Sequence, residues 1–136
     1  MRDPGRWHRA TIDYIADTLL AGNTVKAVID RTVSPSYAPD VARATRALIE
    51  RSGPFGTYHC VNSGWTTWVD LARYVASQLA VPESIQAIET ASLNTLAPRP
   101  QHCALSNRKL KAIVDLPEWQ DAVARHITQR ATVAAQ

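Results

Sequence analysis

Three features of this 136-residue chain have residue types that could do chemistry. They are two histidine–cysteine pairs (His59-Cys60 and His102-Cys103), two serines near turn formers (Ser36 and Ser63), and an arginine held between prolines in Ala97-Pro98-Arg99-Pro100. The His-Cys pairs offer soft metal ligands. Adjacent residues on an extended segment point to opposite faces, so His59 and Cys60 cannot close on one ion without a bulge. No C-x-x-C or H-x-x-x-H spacing supports a closed zinc site, and no metal site is expected. His126 falls on an apolar helical face, the position of a core or boundary histidine. Neither serine sits in a G-x-S-x-G nucleophile elbow. No catalytic residue is assigned.

Cofactor signatures are missing in the same way. A dinucleotide site needs G-x-G-x-x-G between a strand and a helix, because only glycines let the backbone approach a pyrophosphate. Gly5, Gly22, Gly53, Gly56 and Gly64 never take that spacing, and no Walker A run occurs. A reductase that protonates a carbonyl through tyrosine needs a lysine four residues later on the same helix face. The residues four after Tyr14, Tyr37, Tyr58 and Tyr74 are Thr18, Val41, Asn62 and Gln78. No cofactor is assigned to this chain.

Charge is more informative. The formal net charge is +3. No acidic residue lies between Glu89 and Asp115, where Arg99, Arg108, Lys109 and Lys111 cluster; Arg2, Arg6 and Arg9 mark a second basic stretch. The helix charges fit a solvated face. Arg99 differs, because flanking prolines fix the loop and remove backbone donors around it. A held guanidinium fork matches a phosphate or diphosphate. Neither basic–aromatic interleaving nor a recognition-helix pattern points to nucleic acid, which is excluded as a partner.

The elements that must position Arg99 follow from periodicity. Ile12, Ile15, Ala16, Leu19 and Leu20 form one helical face, stopped by Gly22-Asn23. Residues 24–30 (TVKAVID) predict a strand. Pro39 and Asp40 suit the first turn of a second helix whose stripe is Val41, Ala44, Leu48 and Ile49. Residues 57–62 (TYHCVN) read as the best strand. Thr67 caps a third helix with Trp68, Leu71, Ala72, Val75, Ala76 and Leu79 on one face; Trp68 reads as a core anchor. Residues 84–90 predict a third strand, and 106–114 and 117–127 two short helices. The alternation indicates an α/β fold of about three short strands and five helices.

Length and composition agree with one domain. A chain of 136 residues with 46% apolar and 20% charged residues supports one core. The expected organisation is a loose arm at 1–10, a domain at 11–130 and a tail at 131–136. Asp13 and Asp17 interrupt any signal-peptide core, no apolar run reaches the roughly 18 residues of a membrane span, and two cysteines cannot form a disulfide framework. A cytoplasmic protein without membrane partners is expected.

Four stretches, in order, resemble the C-terminal half of the dTDP-4-dehydrorhamnose reductase family of extended short-chain dehydrogenases. VIDRTVSPSYAPDVARA (28–44) is similar to the family's strand, S-P-[ST]-Y loop and D-[LV]-A helix. GTYHCVNSGWTTWVDLARYVA (56–76) is similar to its G-x-Y-H segment, APRPQHCALSNRKLKAI (97–113) to its R-P segment, and LPEWQDAV (116–123) to its close. Arg31 and Val33 depart from it, standing where rhamnose reductases commonly carry Gln and Gly.

The resemblance implies the substrate-binding portion of a Rossmann-like oxidoreductase of dTDP-rhamnose biosynthesis. The ligand implied is a nucleotide-sugar, a dTDP-deoxysugar whose 4-keto group is reduced with NADPH or NADH. It implies that Ser34, Pro35, Ser36 and Tyr37 face the substrate and that Arg99 meets its diphosphate. The Ser34–Tyr37 loop also suits an ordinary strand-to-helix turn. The family's glycine-rich loop and Tyr-Lys pair lie in its N-terminal half, so the expectation is a fragment inactive alone that needs a cofactor-binding half. The other reading is a non-catalytic interaction subunit that binds another protein.

Overall fold

The computed structural model describes residues 10–93 and 97–134. The first helix, α1 (Thr11–Leu20), buries Ile15, Ala16 and Leu19, the middle of the expected stripe. Strands β1 (Val25–Val28) and β2 (Thr32–Val33) follow. After the Ser34–Tyr37 loop, α2 (Ala38–Glu50) carries Pro39 in its first turn, where a missing N–H leaves no helical bond unmade. A two-residue strand β3 (Thr66–Thr67) leads into α3 (Trp68–Leu79). Thr67 caps α3 as its sequence position predicts, accepting from the Asp70 N–H at 3.1 Å. Strands β4 (Ile85–Ile88) and β5 (His102–Cys103), a single turn α4 (Arg108–Lys111) and the long α5 (Trp119–Ala134) complete the order.

Two small sheets organise these elements. β1 pairs in parallel with β4, Val25 opposite Ile85 and Val28 opposite Ile88. β2 is the centre of a three-stranded sheet, antiparallel to β3 and parallel to β5. The main core lies between α1, β1, α3 and α5, where Leu71, Val75, Trp119 and Val123 interlock. Tyr74 meets Trp119 edge to face at 5.3 Å. A second cluster joins α2 to α4 through Ala44, Leu110 and Leu116. Among the described residues no helix is long and apolar enough to cross a membrane.

Three expectations need correction. Residues 57–62 make no strand. Two of their backbone carbonyls are taken by side chains, with Lys109 Nζ donating to Thr57 O at 3.3 Å and Asn107 Nδ2 to Val61 O at 3.1 Å. A segment so satisfied needs no ladder. Ile49 is 75% exposed rather than part of the α2 stripe; the buried residues of that helix are Ala44 and Asp40. Residues 106–114 give only the single turn of α4. The last helix, α5, continues to Ala134. The expected arm lies outside the described residues except for exposed Ala10, as do residues 135–136 of the tail.

Candidate functional site

The Ser34–Tyr37 loop is held at each end of its short run. Ser34 Oγ accepts from the Leu105 N–H at 2.9 Å and lies 3.3 Å from the Leu105 carbonyl, which fastens the loop to the segment after β5. At the other end the Tyr37 N–H donates to Asn62 Oδ1 at 2.9 Å, and the Tyr37 hydroxyl donates to Gln129 Oε1 at 2.6 Å. Arg125 lies over the Tyr37 ring at 4.8 Å. Between these anchors Pro35 is half-buried and Ser36 is exposed. Fixed ends with an exposed middle suit a loop that meets a ligand.

The support behind the loop is polar and buried. Asn62 is fully buried and donates to Asp40 Oδ2 at 2.7 Å and to the Pro117 carbonyl at 3.1 Å. Asp40, 1% exposed, takes two hydrogen bonds from Arg125, at 3.1 and 2.5 Å, and faces Arg43 at 3.2 Å. Burial pushes the Asp40 carboxyl up, but the Arg125 and Asn62 hydrogen bonds and both arginine charges outweigh it. Its pKa lies below the ordinary carboxylate value. Its bonds to Asp40 and to Asp121 raise the Arg125 pKa.

Two clefts adjoin this loop, and a third follows them in series. One of about 350 Å³ runs between Pro35, Tyr37, Ile12, Val123 and His126. The next, about 390 Å³, shares Ala10, Ile12, Pro35 and Ser36 with it and adds Val33, Trp68 and Cys103. A third, about 270 Å³, shares Thr11 and Trp68 with the second and opens onto Lys26 and Arg31. The half-buried Trp68 therefore packs on the core and also lines both the second cleft and the one that holds Lys26 and Arg31. Such combinations of apolar wall and few polar groups are the usual form of a small-molecule site.

Of the residues singled out by sequence, Ser34, Pro35 and Ser36 line the 390 Å³ cleft, while Tyr37 lies in the wall of its neighbour. Arg99 is exposed and precedes β5, so it stands beyond one end of the β2–β5 pairing and Ser34–Tyr37 beyond the other. The α4 charges do not join it. Lys109 sits 4.2 Å above the Tyr58 ring, and Lys111 pairs with Asp115 at 3.5 Å. Of the His-Cys pairs, Cys60 packs on the second cluster while His59 Nδ1 lies 3.1 Å from the Ser106 carbonyl, and Cys103 donates to the Pro100 carbonyl. Sequence reasoning passed over Gln129, Asn62 and Arg125 as site-forming residues, because their partners are 92, 25 and 85 residues away. The lone signal was Asp40, an acid on the buried side of an amphipathic helix.

NADPH or NADH does not fit the described residues. The turns leading into α2 and α3 carry Ser34–Tyr37 and Gly64–Thr67, and neither offers the successive glycines that let a pyrophosphate lie on a helix N-terminus.

The likeness to known proteins runs along this same arrangement. The chain is 34% identical over 103 residues to the dTDP-4-dehydrorhamnose reductase of Escherichia coli (strain K12), covering 69% of this chain and 34% of that protein. It is 33% identical over 118 residues to the dTDP-4-dehydrorhamnose reductase of Mycobacterium tuberculosis (strain ATCC 25618 / H37Rv), covering 82% and 39%. The spore coat polysaccharide biosynthesis protein SpsK of Bacillus subtilis (strain 168) is 28% identical over 109 residues, covering 79% and 38%. The chain thus spans less than two fifths of the length of these relatives. In fold it is similar to the dTDP-4-dehydrorhamnose reductase of Clostridium acetobutylicum ATCC 824, with a TM-score of 0.82 at 21% identity, covering 90% of this chain and 44% of that one. The Bacillus anthracis str. Ames enzyme, solved in complex with NADP, gives a TM-score of 0.80 at 21% identity, covering 89% and 43%. The family model for the RmlD substrate binding domain matches residues 8–132, taking in α1, the Ser34–Tyr37 loop, the Arg99 segment and nearly all of α5. The chain belongs to that family, the substrate-binding domain of dTDP-4-dehydrorhamnose reductase-like enzymes.

Proposed function

We propose that this chain is the nucleotide-sugar-binding part of an NAD(P)-dependent reductase acting on a 4-keto-deoxysugar carried by dTDP. The observation that carries the reading is the Ser34–Tyr37 loop. Its ends are pinned to Leu105, Asn62 and Gln129, while Pro35 and Ser36 face connected apolar clefts. The clefts of about 350 and 390 Å³ sit near the lower end of the roughly 300–1,000 Å³ of small-molecule sites. Together they suit an extended ligand with two or three linked moieties. Arg99, Ser34, Pro35, Ser36 and Tyr37 are the proposed contacts, with Arg99 at the diphosphate. This chain's part is to bind and orient the sugar; the hydride comes from NADPH or NADH held by another polypeptide segment.

Such a partner has a surface to meet. β1 pairs on one side with β4 and among the described residues has no strand on its other side. Parallel sheets are normally larger and covered on both faces. Exposed Tyr14 and Ile29, at 51% and 49%, stand on α1 and just beyond β1. In this reading the cofactor-binding segment adds to the β1 edge, the cleft beside Lys26 and Arg31 lies at the seam between the two, and the domain at 11–130 works as one half of a cytoplasmic enzyme inactive alone. A regulatory partner would use the same edge without any sugar binding.

Calorimetric titration of a dTDP-deoxysugar into the full chain separates these. Saturable one-to-one binding that competes with dTDP supports the nucleotide-sugar reading. Absence of binding at millimolar ligand overturns it and leaves the interaction subunit.

A further inference from the structure

We infer that Arg31 is the second cation of a diphosphate clamp, closing with Arg99 at the cationic end of the cleft series beside Trp68. This rests on the nucleotide-sugar reading above and adds to it a residue that the S-P-S-Y and R-P motifs do not contain.

Strand pairing brings the two arginines to one place. β2 and β5 run parallel with Val33 opposite Cys103, and both side chains line the same cleft. Stepping back by the two-residue strand period puts Arg31 opposite Gln101 on that face, and the next step puts Arg99 there. The Thr32 N–H bond to the Gln101 carbonyl at 2.8 Å keeps the register at this point. Pro100 biases Arg99 towards extended backbone, so the parity carries through. On the Arg31 side the register is tied to this segment by a side chain as well: Arg31 Nε donates to the Pro100 carbonyl, 3.3 Å away and one residue from Arg99.

That contact leaves a fork. Arg31 has one Nε donor and four on its terminal nitrogens, and only the first is engaged. Among the described residues Arg31, Arg99 and Lys26 form no ion pair. The carboxylate next in sequence, Asp30, is occupied, accepting from the Thr90 N–H at 2.9 Å and hydroxyl at 2.8 Å. Arg31 and Lys26 both line the cleft that Trp68 and Thr11 join to the apolar one. Two guanidinium groups on one face repel each other, and a dianionic ligand laid between them relieves that repulsion. A diphosphate laid between Arg31 and Arg99 would leave its organic substituent along Trp68, Val33 and Pro35.

The test is binding of dTDP, thymidine and inorganic pyrophosphate to the full chain and to Arg31→Gln, with Arg46→Gln as a control that removes a distant exposed arginine. Arg31→Gln should weaken dTDP by about tenfold or more and flatten its salt dependence, while thymidine and the Arg46→Gln control stay near wild type. Arg31→Lys should recover part of the loss, since it keeps the charge and loses the fork. An unchanged dTDP affinity in Arg31→Gln, or an equal loss for thymidine, overturns the clamp and leaves the nucleotide-sugar reading standing. Wild-type binding of pyrophosphate that depends on Arg31, without dTDP binding, keeps the clamp and overturns the nucleotide reading. Binding of none of the three overturns both.

Discussion

Arg125 grips Asp40 with both terminal nitrogens, at 3.1 and 2.5 Å, across 85 residues of sequence. The pair links the first turn of α2 to the middle of α5, and the same guanidinium covers the Tyr37 ring. Loop geometry at the proposed site is therefore set by a long-range ion pair.

Removing one member should cost more than an ordinary surface substitution. Arg125→Met leaves a carboxylate that is 1% exposed. A fully buried pair loses about 3–5 kcal/mol when halved. Arg43 and Asn62 remain on Asp40, and the Arg125 side chain is 38% exposed, so a loss of about 2–3 kcal/mol is expected. Urea unfolding should show the midpoint falling with an unchanged slope; a change within about 0.5 kcal/mol would contradict the pairing.

The acid limb of stability should carry the signature of the same carboxylate. Burial acts against ionisation of Asp40, but Arg125, Asn62 and Arg43 win and hold its pKa below 3.8. A group depressed in the folded state stabilises above its unfolded pKa and loses that contribution as pH falls through the folded value. Asp30, lowered by its bonds from the Thr90 hydroxyl and N–H, acts with the same sign. Stability should thus be level near neutrality and drop from about pH 5 to about pH 2. Asp40→Asn should be less stable at pH 7 and fall less steeply with acid; parallel curves for the two proteins would remove Asp40 from the account.

How much of this was legible before folding depends on the range of the signal. The stripe of Ile12, Ile15, Ala16 and Leu19 (though not Leu20, which is exposed), the Thr67 cap and the strand at 25–28 were readable, because each is written within one turn or a few alternating residues. Residues 57–62 have strand-forming types and still form no strand, because Lys109 and Asn107 reach their carbonyls from α4 and its N-cap position. Asp40 was readable as an acid complementing a helix dipole, but not as a buried ion-pair member, since Arg125 is invisible from α2. Arg31 was readable only as a departure from a motif. Its bond to the Pro100 carbonyl exists through the β2–β5 pairing alone.

Tyr37 separates anchoring from contact. Tyr37→Phe loses the hydroxyl bond to Gln129, which is exposed, and keeps the ring beneath Arg125. The cost should be at most about 0.5–1.5 kcal/mol, with ligand affinity near wild type. Tyr37→Ala removes the ring as well and should loosen the Pro35–Ser36 wall, weakening a dTDP-sugar several-fold more than Phe does. Equal effects of Phe and Ala on affinity would place the hydroxyl itself on the ligand.

Arg99 tests the site from the opposite end. It is exposed and among the described residues has no protein partner, so Arg99→Ala should leave folding stability within about 0.5 kcal/mol. A charge-assisted bond to a diphosphate is worth about 1.5–3 kcal/mol, so affinity for a dTDP-sugar should fall roughly 10- to 150-fold. Unlike the Arg125 variant, this loss should arise without any shift in the urea midpoint. It should also shrink as salt is added, because screening weakens the wild-type contact and leaves the alanine variant little changed. An Arg99→Ala protein that binds as tightly as wild type would detach the R-P segment from the ligand. The Ser34–Tyr37 loop and its clefts would then have to account for recognition alone.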